Sequence, residues 1–232
     1  MLTRALALTL LGCLPGMTAI QRQAHAYGTG VGFAAVTATL SNCSTNHGYL
    51  IVLAVTDYAH DPTTDTVSST SIPSGWSHGN NSVSGTEDVA IWWAYSTSLS
   101  NSEAITVTNG SYPAVFAACY SGTSSSPLDQ QNDGISQPGP VTPTQSNELI
   151  VTACATEGLS SSPTVNSGFS VTDALPEHAG WYVGGGMADL MQTAASATNP
   201  TWTDGSSPAA AIMTFKASAS SAGSKFSIVM ER

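Results

Sequence analysis

The sequence predicts an all-β fold: a sandwich of two facing sheets, preceded by an extended N-terminal segment. Three observations carry this expectation. First, no stretch holds a helical period, and apolar runs of five to eight residues alternate with clusters of Gly, Pro, Ser and Asn. Second, the core-strand sequence LIVLAV at residues 50–55 returns as LIVTAC at 149–154, ninety-nine residues later. Third, the match continues in order. Ser74-Gly75-Trp76 recurs as Ser167-Gly168-Phe169, Ile105-Thr106-Val107-Thr108 as Pro200-Thr201-Trp202-Thr203, and Pro113-Ala114-Val115 as Pro208-Ala209-Ala210, at spacings between 93 and 99 residues. A repeat of this length is a duplicated half rather than a solenoid unit. It divides the body into cassettes at 48–123 and 148–217, joined by a linker at 124–147.

Residues 1–30 read as an N-terminal extension. Met1 to Cys13 carry one Arg and then a short apolar run, the pattern of an export signal, and Leu10-Leu11-Gly12-Cys13 resembles a lipobox. The same residues read equally as an extended strand. Leu2, Leu6, Leu8 and Leu10 fall on one side, with Thr3, Ala5, Ala7 and Thr9 on the other. On that reading the leucines are assembly residues, and the Gly-rich stretch 28–32 behind them is a hinge. One strand is expected near 31–40. In the first cassette, residues 89–95 (VAIWWAY) are apolar on both alternating faces, which suits a sheet covered on both sides. Adjacent Trp92 and Trp93 must point to opposite faces. In the linker, Pro127, Pro138, Pro140 and Pro143 are expected to prevent regular pairing. In the second cassette, Gly184-Gly185-Gly186 is expected at the place of the tryptophan-bearing strand. Residues 218–232 form a polar tail with a short apolar end.

This strand plan resembles the jelly-roll sandwiches of viral, pilus-like and lectin-like surface proteins, over residues 30–217. The resemblance implies a jelly-roll fold with two sheets and leaves the function to the site residues.

Charge narrows the function classes. Only 9% of residues are charged, and the five bases are Arg4, Arg22, Lys216, Lys225 and Arg232, while 14 of the 15 acids lie between residues 23 and 215. Such a body cannot neutralise phosphates, so nucleic acid is excluded as a partner. No apolar run is long enough to predict a membrane span. Cys13, Cys43, Cys119 and Cys154 have no metal-ligand spacing, and both buried free thiols and three full disulfide pairings stay open.

Catalytic signals are weak. The five histidines (His25, His47, His60, His78, His178) stand near no nucleophile elbow, and Gly28 to Gly32 lacks the lysine of a phosphate loop. Glu87-Asp88 reads as a strand-edge acid pair rather than a glycosidase pair. Asp57, His60, Asp61 and Asp65 form an acidic loop that lacks the Gly and terminal Glu of a calcium loop, and so reads as solvated. No enzyme activity, cofactor or metal is expected. Trp76 and Trp181 are candidates for stacking on sugar rings. Asn42, Asn80 and Asn109 stand in N-x-S/T sequons. The functional expectation is a structural subunit of an extracellular filament, pilus-like fibre or virion surface. It would polymerise with copies of itself through the N-terminal strand. A carbohydrate-binding or adhesive module, with glycans as partners, is the alternative.

Overall fold

The computed structural model describes residues 19–43, 49–157, 161–176, 183–203 and 207–219. Leu2, Leu6, Leu8, Leu10, Cys13 and Trp181 lie outside them. Apart from one 3-10 turn, the regular structure of the described residues is all β-strand, and among them no helix is long and apolar enough to cross a membrane.

The first repeat begins with β1 (Gln21–Thr29), β2 (Val36–Ser41) and β3 (Tyr49–Tyr58). A one-turn 3-10 helix, η1 (Pro62–Thr64), leads to β4 (Thr66–Ser69), β5 (Ser77–His78), β6 (Ser82–Ser84) and β7 (Glu87–Ser96). The repeat closes with β8 (Ser102–Thr108) and β9 (Ala114–Ser121). The second repeat holds β10 (Thr123–Ile135), β11 (Glu148–Thr156), β12 (Thr164–Val165), β13 (Ser170–Leu175), β14 (Gly184–Gln192), β15 (Trp202–Thr203) and β16 (Ala209–Ala217).

The large sheet of the first repeat has the order β1-β9-β3-β7-β5, with β6 also on β7, and that of the second has the order β10-β16-β11-β14-β13. These are the same order under the sequence repeat. The remaining strands form outer sheets, β2-β8-β4 and β12-β15, and an isolated bridge joins Val141 to Thr198. In the first repeat the chain crosses to the small sheet at β2, β4 and β8, and its last strand, β9, enters the large sheet between β1 and β3, as β16 enters between β10 and β11 in the second. That is the jelly-roll pattern, so the expected sandwich is present with four layers in place of two.

Alternation explains the layering. On β3, Leu50, Val52 and Ala54 face the second large sheet and join Ile91, Phe116, Leu149, Val151, Met213 and Phe215 in the central core. Tyr49, Ile51, Leu53 and Val55 face the other way, onto Val36, Leu40, Ile105 and Val107 of the outer sheet. Trp92 joins that outer core and Trp93 the central one, where its ring meets Phe215 edge-on at 6.2 Å. The doubly apolar reading of β7 is therefore met on both faces. A third core lies on the far side of β11 and β16, where Trp202 and Phe169 cover Ile150 and Ile212. Gly75 and Gly168, equivalent in the repeat, both turn at positive φ, +88° and +79°.

Several expectations shift. The sandwich begins at Ile20, not 31: β1 pairs along β9, and the stretch 28–32 is no hinge. Gly30 N–H donates to Pro113 O at 2.8 Å and Gly32 O accepts from Tyr112 N–H at 2.7 Å, which ties that loop down. β2 starts at Val36. The linker contains β10, an edge strand on β16, whose register shifts between Thr123 and Leu128 accommodate Pro127. The glycine triplet does open β14, the strand equivalent to the tryptophan-bearing β7, and register fixes what stands opposite each residue. Trp93 pairs with Val52 and Asp189 with the equivalent Val151, so Ala188 and Asp189 replace the tryptophans, and Gly184 stands where Asp88 does.

Cys43 and Cys119 form a disulfide that ties the end of β2 to β9, and both are fully buried. Cys154 is a buried residue of β11 outside that bond.

Candidate functional site

The inward-facing row Ile51, Leu53, Val55 on β3 ends in a carboxylate, Asp57. Its position points it into the space between the first large sheet and the outer sheet, and it is fully buried. The chain then crosses from one sheet to the other through residues 59–65 and enters β4 just after Asp65. Asp65 also has a fully buried side chain, so the two acids close one end of the outer core. The crossing is well held. Asp61 caps η1 by accepting from Thr63 N–H at 2.9 Å, and buried Trp92 donates Nε1–H to Pro62 O at 3.1 Å.

His60 joins the two acids. Its Nδ1 lies 3.0 Å from Asp57 Oδ2 and 3.5 Å from Asp65 Oδ1, and its side chain is 29% exposed. One donor atom from each of the three residues fits within a span of 4.8 Å. Gly110 lets the carboxylates converge: a Cβ there would stand 2.8 Å from Asp57 Oδ1 and 3.0 Å from Asp65 Oδ2. Asp57 Oδ1 and both carboxylate oxygens of Asp65 are buried without a hydrogen-bond partner.

Electrostatics follow from this crowding. Burial pushes the Asp57 carboxyl up to about 7, against the backbone N–H of Ser111, which lowers it. Burial, then the Asp57 charge, pushes Asp65 up to about 8. Asp88, opposite Asp57 in the β3–β7 pairing, is raised by burial while Asn81 Nδ2–H donates to it at 2.8 Å. The acidic loop expected to be solvated is instead half interior. The strand period carries Asp57 inward, and Asp65 follows it across the gap. Glu87 and Asp88 are likewise buried and not edge-exposed.

The other predicted residues lie apart from this cluster. Trp76 is half-buried against the outer core and donates Nε1–H to Ile72 O at 3.0 Å. Asn42, Asn80 and Asn109 are exposed. Asn80 Nδ2–H donates to Asp133 at 2.9 Å, and Asn109 Nδ2–H donates to Thr66 Oγ1 at 3.3 Å. Asn109 directly precedes Gly110.

One signal in the sequence could have singled out Asp57. The repeat places Thr156 at its equivalent position and Gly184 at that of Asp88, so the acids belong to the first copy alone. No family model, curated protein or solved structure matches the chain.

Proposed function

We propose that this protein is a structural subunit of an extracellular filament, pilus-like fibre or virion surface, joined head-to-tail by insertion of residues 1–13 into a neighbouring subunit. The observation that carries the reading is an open strand edge. β13 ends the second large sheet, pairing with β14 alone among the described strands, and its Val171 is 41% exposed. An unpaired edge accepts a strand through backbone hydrogen bonds. Residues 2–10 supply a leucine every second position for most of their length. They precede Ile20, which anchors the chain in the central core at the start of β1. The Cys43–Cys119 disulfide supports an oxidising, extracellular setting.

The test is electron microscopy and sedimentation of the native full chain beside a variant lacking residues 2–12. Polymers from the full chain, and folded monomers from the deletion with unchanged circular dichroism, are the expected result. Polymers that survive the deletion, or a full chain that is monomeric, overturn it.

An adhesive role has one observation in its favour: Val31 and Phe33, 56% and 73% exposed, stand on the β1–β2 loop as an apolar contact point. Loss of surface or glycan binding in Phe33→Ser, with assembly intact, would support that second reading.

A further inference from the structure

We propose that Asp57, His60 and Asp65 bind one first-row divalent transition ion, zinc being the best match to the donor set. Two carboxylates with fully buried side chains meet at one point, and three of their four oxygens have no hydrogen-bond donor. Buried carboxylate oxygens require such a partner, and leaving them without one is costly. The protein has little else to offer. Arg22 and Lys216 are the described Lys or Arg residues, and they pair with Asp189 and Asp129, far from this cluster in sequence and strand position. A bound cation would compensate both acids at once, where a proton shared between Asp57 and Asp65 would neutralise only one.

The spacing selects the ion class. Zinc takes oxygen and nitrogen donors at about 2.0–2.2 Å, which puts neighbouring donors of a tetrahedron about 3.4 Å apart. The edges present are 3.0 Å from Asp57 Oδ2 to His60 Nδ1 and 3.5 Å from there to Asp65 Oδ1. Calcium prefers six to eight oxygens, roughly double what two carboxylates supply, and an imidazole does not suit it. The partly exposed His60 gives an entry path and leaves a fourth position for water. Trp92 and Asp61 hold the turn between the ligands, so the site is organised before the ion arrives.

The competing account is a pair of acids sharing one proton. Calorimetry and thermal melting separate the two, using the full oxidised chain without a histidine tag, stripped with EDTA and titrated with zinc chloride. The wild type should bind one equivalent and gain about 5–10 °C in melting temperature at a hundredfold excess over Kd. Asp65→Asn and His60→Gln should each weaken binding by at least about tenfold. Should Asp65→Asn fail to fold, the more exposed His60→Gln still decides. Identical melting in EDTA and in zinc overturns the proposal, as does undiminished zinc binding by His60→Gln. Binding of calcium in preference to zinc overturns the assignment of the ion class.

Discussion

The hydroxyl of Tyr120 donates to Asp189 Oδ2 at 2.9 Å, joining the last strand of the first repeat to the sheet of the second. Arg22 Nη1 reaches the same oxygen at 2.9 Å from β1. Asp189 stands where the first repeat has Trp93, so an ion pair fills one repeat's position and an indole the other's. Burial, then the Asp189 charge, holds the Tyr120 hydroxyl well above its usual range, which keeps it a donor.

Tyr120→Phe should therefore lower stability by roughly 1.5–3 kcal/mol, the range for hydrogen bonds to charged groups. Urea denaturation of the two proteins measures it. A loss below about 0.5 kcal/mol would show that Arg22 alone satisfies the carboxylate.

Stability should rise as the pH falls from 8 to about 5. Glu148 is 1% exposed, and burial followed by the charge of Asp129 pushes its carboxyl from 4.5 up to about 7. Thr214 and the Gln145 backbone N–H oppose that shift by hydrogen bonding. Lys216 is engaged on Asp129 at 3.2 Å. The folded state thus binds this proton more tightly than the unfolded chain. The stabilisation is complete below the unfolded value and lost as the pH climbs through about 7. Glu103 acts in the opposite sense at lower pH. Burial raises it, but hydrogen bonds from Ser69, Ser71 and Ser100 outweigh burial and lower it, so its contribution is lost on acidification. Melting curves in EDTA should show a gain on the order of 2 kcal/mol between pH 8 and pH 5. Glu148→Gln should remove part of that gain, the rest belonging to Asp57 and Asp65, which burial raises into the same range. An unchanged pH profile in this variant would locate the effect elsewhere.

Breaking the Cys43–Cys119 bond should cost about 2–4 kcal/mol, because it closes a loop across a sequence separation of 76 residues. A Cys43→Ala, Cys119→Ala double variant, melted beside the oxidised wild type, gives the value. A melting temperature equal to the wild type would mean that packing alone holds β2 on β9.

Much of this fold was legible because apolar strands announce themselves. The LIVLAV and LIVTAC strands lie at the centres of their sheets, and their fully apolar runs reflect cover on both faces. β1 escaped notice for the opposite reason. Its QRQAHAYGT alternates exposed and half-buried positions, so no apolar signal distinguishes it from a loop. β10 was obscured by Pro127, which an edge strand tolerates at a register shift. Composition near a strand end suggests solvent for Asp57, although the side chain is buried. Counting by twos from Ile51 through Val55 would have placed it inside. The approach of Asp65 depends on how the crossing chain packs, and no periodic pattern encodes that.

The two large sheets meet reciprocally: β7 lies against β16 and β11, while β14 lies against the equivalent β9 and β3. That relation is an approximate dyad inside one polypeptide. An ancestor of half this length would have exposed Leu50, Val52, Ile91 and Phe116 on its larger sheet, and a second copy of itself is the natural cover. Fusion into one chain turns that self-association into an intramolecular contact, independent of concentration. It also frees each half to diverge. One half carries the disulfide and the Asp57, His60 and Asp65 cluster, while the other has Thr156 and Gly184 at the positions of Asp57 and Asp88. A dimer of identical halves could not have made that division of labour.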